Sequence, residues 1–84
     1  MVELTHVIKD PLGFHARLAM RLSDEAARWE SRITVLHGLR IASASDVMAL
    51  MGLEAMQGDT IDVRVEGPDE QDAAEFIAYT LRGM

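Results

Sequence analysis

The spacing of apolar residues along this chain switches repeatedly between two and about 3.6, which restricts the fold to strands and helices packed on each other. Ile61, Val63 and Val65 alternate with Asp62, Arg64 and Glu66 in the clearest strand pattern of the sequence. Val2, Leu4 and Ile8 share a face opposite Glu3, Thr5 and Lys9, and Ile33 and Val35 alternate with Arg32 and Thr34. From Ala16 the period lengthens. Ala19, Leu22, Ala26 and Trp29 recur at helical spacing, with Arg21, Asp24, Glu25 and Arg28 on the wet side. His37-Gly38-Leu39-Arg40 predicts a two-residue hairpin turn leading into Ile41, since Gly38 can take the positive φ that such turns require. Ser45 and Asp46 are good N-cap residues before Val47, Met48, Leu50, Met51 and Leu53, a short second helix expected to close at Gln57-Gly58-Asp59. Gly67-Pro68-Asp69 then opens a last helix, whose apolar stripe is Ala73, Phe76, Ile77 and Leu81. The order is β-α-β-β-α-β-α. One sheet covered on a single side by helices accounts for every amphipathic segment, an α+β architecture.

With 84 residues the chain is expected to form one domain over residues 1–84, with a single core and no second site-bearing unit. Eight basic and fourteen acidic side chains leave a net charge of −6, which argues against nucleic acid as a partner. Cysteine is absent, so thiolate zinc sites and cysteine nucleophiles are excluded. His6 on the inward face of the first strand and His37 beside the hairpin turn read as structural, and no spaced ligand cluster suggests a metal. The longest apolar run, Val47 to Leu53, is far short of the roughly 20 residues of a membrane span. No targeting segment is evident at the start, and a cytoplasmic monomer without cofactors is expected.

Chemistry concentrates at Asp10-Pro11-Leu12-Gly13-Phe14-His15-Ala16-Arg17-Leu18, where a turn delivers one imidazole and one guanidinium to a helix start. A helix N-terminus presents unpaired N–H groups and partial positive charge, which favour an anion. Arg17 adds a fork of donors matched to phosphoryl oxygens. Imidazole is a nucleophile that is neutral over much of the physiological range. His15 is therefore the candidate phosphoacceptor, with Arg17 and the amides of Ala16 and Arg17 holding the phosphoryl oxygens. No Walker loop or magnesium-binding carboxylate set accompanies it, so cleavage of a nucleotide by this chain alone is not expected.

Three segments in the right order resemble the histidine-containing phosphocarrier (HPr) family of the bacterial phosphotransferase system. They are Gly13-Phe14-His15-Ala16-Arg17, Ser45 to Leu53 with the following Gly58-Asp59, and Gly67-Pro68-Asp69-Glu70-Gln71-Asp72-Ala73. The resemblance implies an open-faced β-sandwich: a four-stranded antiparallel sheet in spatial order 1-4-2-3 with three helices on one face. It implies a phosphoryl relay, in which His15 is charged at Nδ1 by enzyme I, itself phosphorylated from phosphoenolpyruvate, and discharges to a histidine of a IIA-type protein. It also implies an apolar partner-binding patch around His15 formed by Phe14, Met20, Val47, Met48 and Met51. Methionine-rich surfaces adapt to several partners.

Departures from the family pattern qualify the partners more than the chemistry. Leu18 stands where a Pro usually follows the active-site Arg. Asp24, Ala27 and Ala49 stand where many relatives carry Lys, leaving Arg17, Arg21 and Arg28 as the basic side chains on that side. Asp46 occupies the regulatory position that is Ser in many members, where it reads as a helix cap; one carboxylate falls short of the roughly −1.5 to −2 charge of a phosphoserine. The alternative reading is an HPr-like regulatory binding module, nitrogen-related or of catabolite-control type, whose output is binding without phosphoryl turnover.

Overall fold

The computed structural model describes residues 1–84 and contains β1 (Val2–Val7), α1 (Ala16–Ala26), β2 (Arg32–His37), β3 (Arg40–Ser43), α2 (Val47–Met51), β4 (Thr60–Glu66) and α3 (Glu70–Leu81). The four strands form one antiparallel sheet in the order β1-β4-β2-β3. β4 is central, pairing Val65 with Val2 on one side and with Ile33 on the other. Its strict alternation of buried and exposed residues follows from that position: Ile61, Val63 and Val65 face the helices while Asp62, Arg64 and Glu66 face water. At about 1.5–3 kcal/mol per fully buried aliphatic side chain, these three together with Ile33 and Val35 fix the sheet register. The hairpin between β2 and β3 closes through Gly38 and Leu39, with Gly38 at φ +60° and His37 paired to Arg40.

α1 buries Leu18, Ala19, Leu22 and Ala26 and packs on both α3 and α2. The helix ends at Ala26, so Trp29 lies in the following turn and not on the helical stripe. There its ring leans on Phe76, with 5.4 Å between centroids, and its indole N–H donates to Glu25 at 3.0 Å. Phe76 is correspondingly not a core residue of α3, being 46% exposed, and Ala74 and Thr80 join Ala73, Ile77 and Leu81 on the buried face. The Thr80 hydroxyl donates to the Phe76 carbonyl at 2.9 Å, which is how a polar residue is accommodated there. Asp69 does not cap α3 with its side chain; the carboxylate instead accepts from the N–H groups of Glu30 (3.0 Å) and Ser31 (2.9 Å), tying the entry of α3 to the start of β2.

α2 stops sooner than its sequence pattern predicts. Gly52 caps it, and the Gln57-Gly58 turn belongs to the return into β4, with the Gly58 N–H donating to the Ile8 carbonyl at 2.8 Å. Leu50 and Leu53 are both fully buried, so five helical residues suffice to seat the segment. No helix is long and apolar enough to cross a membrane.

Candidate functional site

The loop from β1 to α1 is built by Asp10 and Gly13. The Asp10 carbonyl accepts from the Gly13 N–H at 2.8 Å, closing a four-residue turn, and its carboxylate accepts from the Leu12 N–H at 2.9 Å. Gly13 sits at φ +72° with its α-carbon pressed on the chain after α2: a Cβ there would lie 2.7 Å from the Ala55 carbonyl oxygen and 3.0 Å from the Met56 α-carbon. The next amide, Phe14 N–H, donates to that same Ala55 carbonyl at 2.8 Å. A glycine is required here by conformation and space together. Phe14, expected on an exposed patch, is instead a core side chain at 5% exposure. It belongs to the same buried cluster as Leu18, Leu22 and Ala55, and the Phe14 N–H bond to Ala55 holds its backbone at the core.

His15 is the N-cap of α1, in extended conformation (φ −82°, ψ 177°), and its side chain makes no capping bond. The N–H groups of Ala16, Arg17 and Leu18 consequently donate to nothing within the protein, the first intrahelical bond running from Ala19 N–H to the His15 carbonyl at 3.0 Å. Three orphan donors at a helix start form a receptive place for anionic oxygens. Arg17 is exposed and takes part in no ion pair, which leaves its guanidinium free.

The His15 imidazole is partly exposed at 21%, and its Nε2 lies 3.2 Å from Asp10 Oδ2. Nδ1 has no partner and is not sealed from solvent. The Leu12 N–H first, and His15 second, hold the Asp10 carboxyl below the usual aspartate range, with Arg17 adding a smaller contribution. The other histidines are differently placed. His37 has both ring nitrogens occupied, Nδ1 by the Leu53 carbonyl at 2.7 Å and Nε2 by Asp59 at 3.1 Å. The Nε2 of His6 is closed off from solvent without a partner. Burial, and then Lys9, hold His6 below the usual histidine range.

Asp46 caps α2, accepting from the Ala49 N–H at 3.0 Å. α2 packs beside α1; Met48 (75% exposed) and Met51 (40%) are exposed on the one and Met20 (55%) on the other, and Val47 is half-buried. Met56 and Leu12, which the sequence reading did not single out, are exposed on the two segments that meet at Gly13. Asp10 was also missed as a site residue. Only the turn brings its carboxylate back onto an imidazole five positions later.

Known proteins resemble this chain over most of its length. Residues 2–82 match the family model PTS-HPr, described as the PTS HPr component phosphorylation site. The chain is 39% identical over 75 residues to the phosphocarrier protein HPr of Lysinibacillus sphaericus, covering 89% of this chain and 85% of that one. It is 38% identical over 71 residues to the phosphocarrier protein NPr of Proteus mirabilis, covering 83% of this chain and 79% of the relative. Among solved structures, a histidine-containing phosphocarrier protein of Mycoplasma superposes with a TM-score of 0.94 at 27% identity, over 98% of this chain and 93% of that one.

Proposed function

Since this chain belongs to the HPr family and is a phosphocarrier of the phosphotransferase system, we propose that His15 is the residue that carries the phosphoryl group. The reading is supported by three features of the start of α1: a His15 ring nitrogen without a partner, three helix amides that donate to nothing, and an exposed Arg17 guanidinium outside any ion pair. Nδ1 attacks phosphorus and forms the P–N bond, while the bond from phosphorus to the donor breaks and its electron pair stays with the donor. The N–H groups of Ala16 and Arg17, with the Arg17 side chain, hold the phosphoryl oxygens, and positioning plus charge stabilisation is most of what this transfer asks of a protein. The donor is enzyme I and the acceptor a IIA-type protein, both in the cytoplasm, and each docks on the surface of Met20, Val47, Met48 and Met51. Such a surface fits successive partners because methionine side chains repack readily. Asp46 serves as the cap of α2 and takes no phosphate.

The test is incubation with enzyme I and phosphoenolpyruvate followed by intact mass at neutral pH. One acid-labile phosphoryl adduct, absent from His15→Ala, is expected. An adduct that persists in His15→Ala overturns the assignment.

A further inference from the structure

We infer that Asp10 is a positioning residue for phosphoryl transfer, its carboxylate accepting the Nε2–H of His15 so that Nδ1 is kept as the bare nitrogen. The inference rests on the reading of His15 as phosphoacceptor and adds to it the group that selects which ring nitrogen reacts.

A neutral imidazole carries one N–H, and either nitrogen can hold it. An ionised carboxylate has only acceptor sites, so the nitrogen facing it must be the protonated one. Asp10 Oδ2 is 3.2 Å from Nε2, and no competing group approaches Nδ1. The Asp10 carboxylate is itself fixed. Its other oxygen, Oδ1, is occupied by the Leu12 N–H at 2.9 Å, and its backbone carbonyl closes the turn with Gly13. Those contacts favour the ionised form of Asp10, in keeping with its lowered pKa.

The arrangement serves both halves of a relay. On charging, the Nδ1 lone pair becomes the P–N bond, so the ring gains a positive charge while Nε2 keeps its hydrogen; the carboxylate balances that charge. On discharge the electron pair of the P–N bond returns to Nδ1, and because Nε2–H has stayed in place the leaving group is neutral imidazole and not imidazolate. No proton has to be exchanged with solvent at either step. The two ring nitrogens diverge, so the carboxylate stands away from the side on which the phosphoryl oxygens meet the helix amides.

Two substitutions separate this role from a structural one. In Asp10→Asn the side-chain oxygen continues to accept from Leu12 N–H, which preserves the turn, but the amide NH2 then faces Nε2 as a donor. That forces Nε2 to be the acceptor and moves the ring hydrogen to Nδ1. Asp10→Ala removes the bias altogether and leaves a mixture. The ring nitrogen chemical shifts of unphosphorylated protein, followed upward in pH until they stop changing, should show Nε2–H in the parent, Nδ1–H in Asp10→Asn and averaged values in Asp10→Ala. Phosphorylation by enzyme I should slow roughly tenfold or more in Asp10→Asn and less in Asp10→Ala, the inverse of what loss of turn structure produces. The Leu12 amide resonance reports whether the turn is intact. Identical ring shifts in all three proteins, or Nδ1–H in the parent, overturn the inference. Failure of the parent to accept phosphate at His15 would instead sink the phosphoacceptor reading, while the ring measurement, made without phosphate, stands independently.

Discussion

Arg17 carries an unpaired guanidinium on the first turn of α1, beside an N-cap histidine and three amides that donate to nothing. On the proposed reading, a charge held there without a partner matters to phosphoryl transfer more than to the fold. Arg17→Ala is expected to lower the rate of phosphorylation by roughly ten- to hundredfold, as loss of one stabilising donor does, while changing stability by less than about 0.5 kcal/mol. Rapid-quench phosphorylation and urea denaturation check the two halves. Gly13→Ala should do the reverse first, costing roughly 1–3 kcal/mol in denaturation because a Cβ at φ +72° meets the Ala55 carbonyl. At this scale the positive φ of Gly13 and the N-cap place of His15 were legible, because both follow from local chain chemistry. Asp10 and Phe14 were not legible. The contact of Asp10 with His15 depends on a turn, and the burial of Phe14 goes with the bond of its N–H to Ala55, forty-one positions later.

Among the elements, α2 is the one whose stability rests most on a single side chain. With five helical residues it has little cooperative hydrogen bonding of its own, so the bond from Ala49 N–H to Asp46 is a large share of what holds its first turn. Asp46→Ala should cost about 1 kcal/mol in urea denaturation. Asp46→Ser should recover most of it and leave phosphorylation of His15 unchanged. The strands were readable because sheet burial follows period two without interruption, as in β4. Helical faces were readable only in part. Period places Trp29 and Phe76 on an apolar stripe, yet Trp29 lies past the end of α1 and the two rings cover each other at the rim, with Arg28 over the Phe76 face at 5.8 Å. The end of α2 differs from its apolar pattern for a related reason: the pattern runs on to Leu53, yet the helix stops at Met51 with Gly52 as its cap, and Leu53 is buried from the turn that follows.

For the whole molecule, two ranges of pH should weaken the fold. Burial lowers the pKa of His6, so as pH falls below the unfolded value of about 6.5 the unfolded chain takes up a proton that the native state resists, and stability declines. Asp10, Asp69 and Glu70 all have lowered pKa values, through the Leu12 N–H, the Ser31 hydroxyl and the Met1 ammonium first of all. Their contribution is present above the unfolded carboxylate range near about pH 4 and is lost as pH drops through the folded values. Thermal denaturation as a function of pH should therefore show a shallow upper decline, removed in His6→Gln, and a steeper acid one that remains. The proposed assignment distinguishes the three histidines by their ring nitrogens: Nδ1 of His15 has no partner, both nitrogens of His37 are paired, and Nε2 of His6 is shut off from solvent. The most direct test is phosphorus–nitrogen coupling in the phosphorylated protein. A single phosphorus resonance coupled to His15 Nδ1 is the result expected; coupling to His15 Nε2, or to a ring nitrogen of His6 or His37, would contradict it.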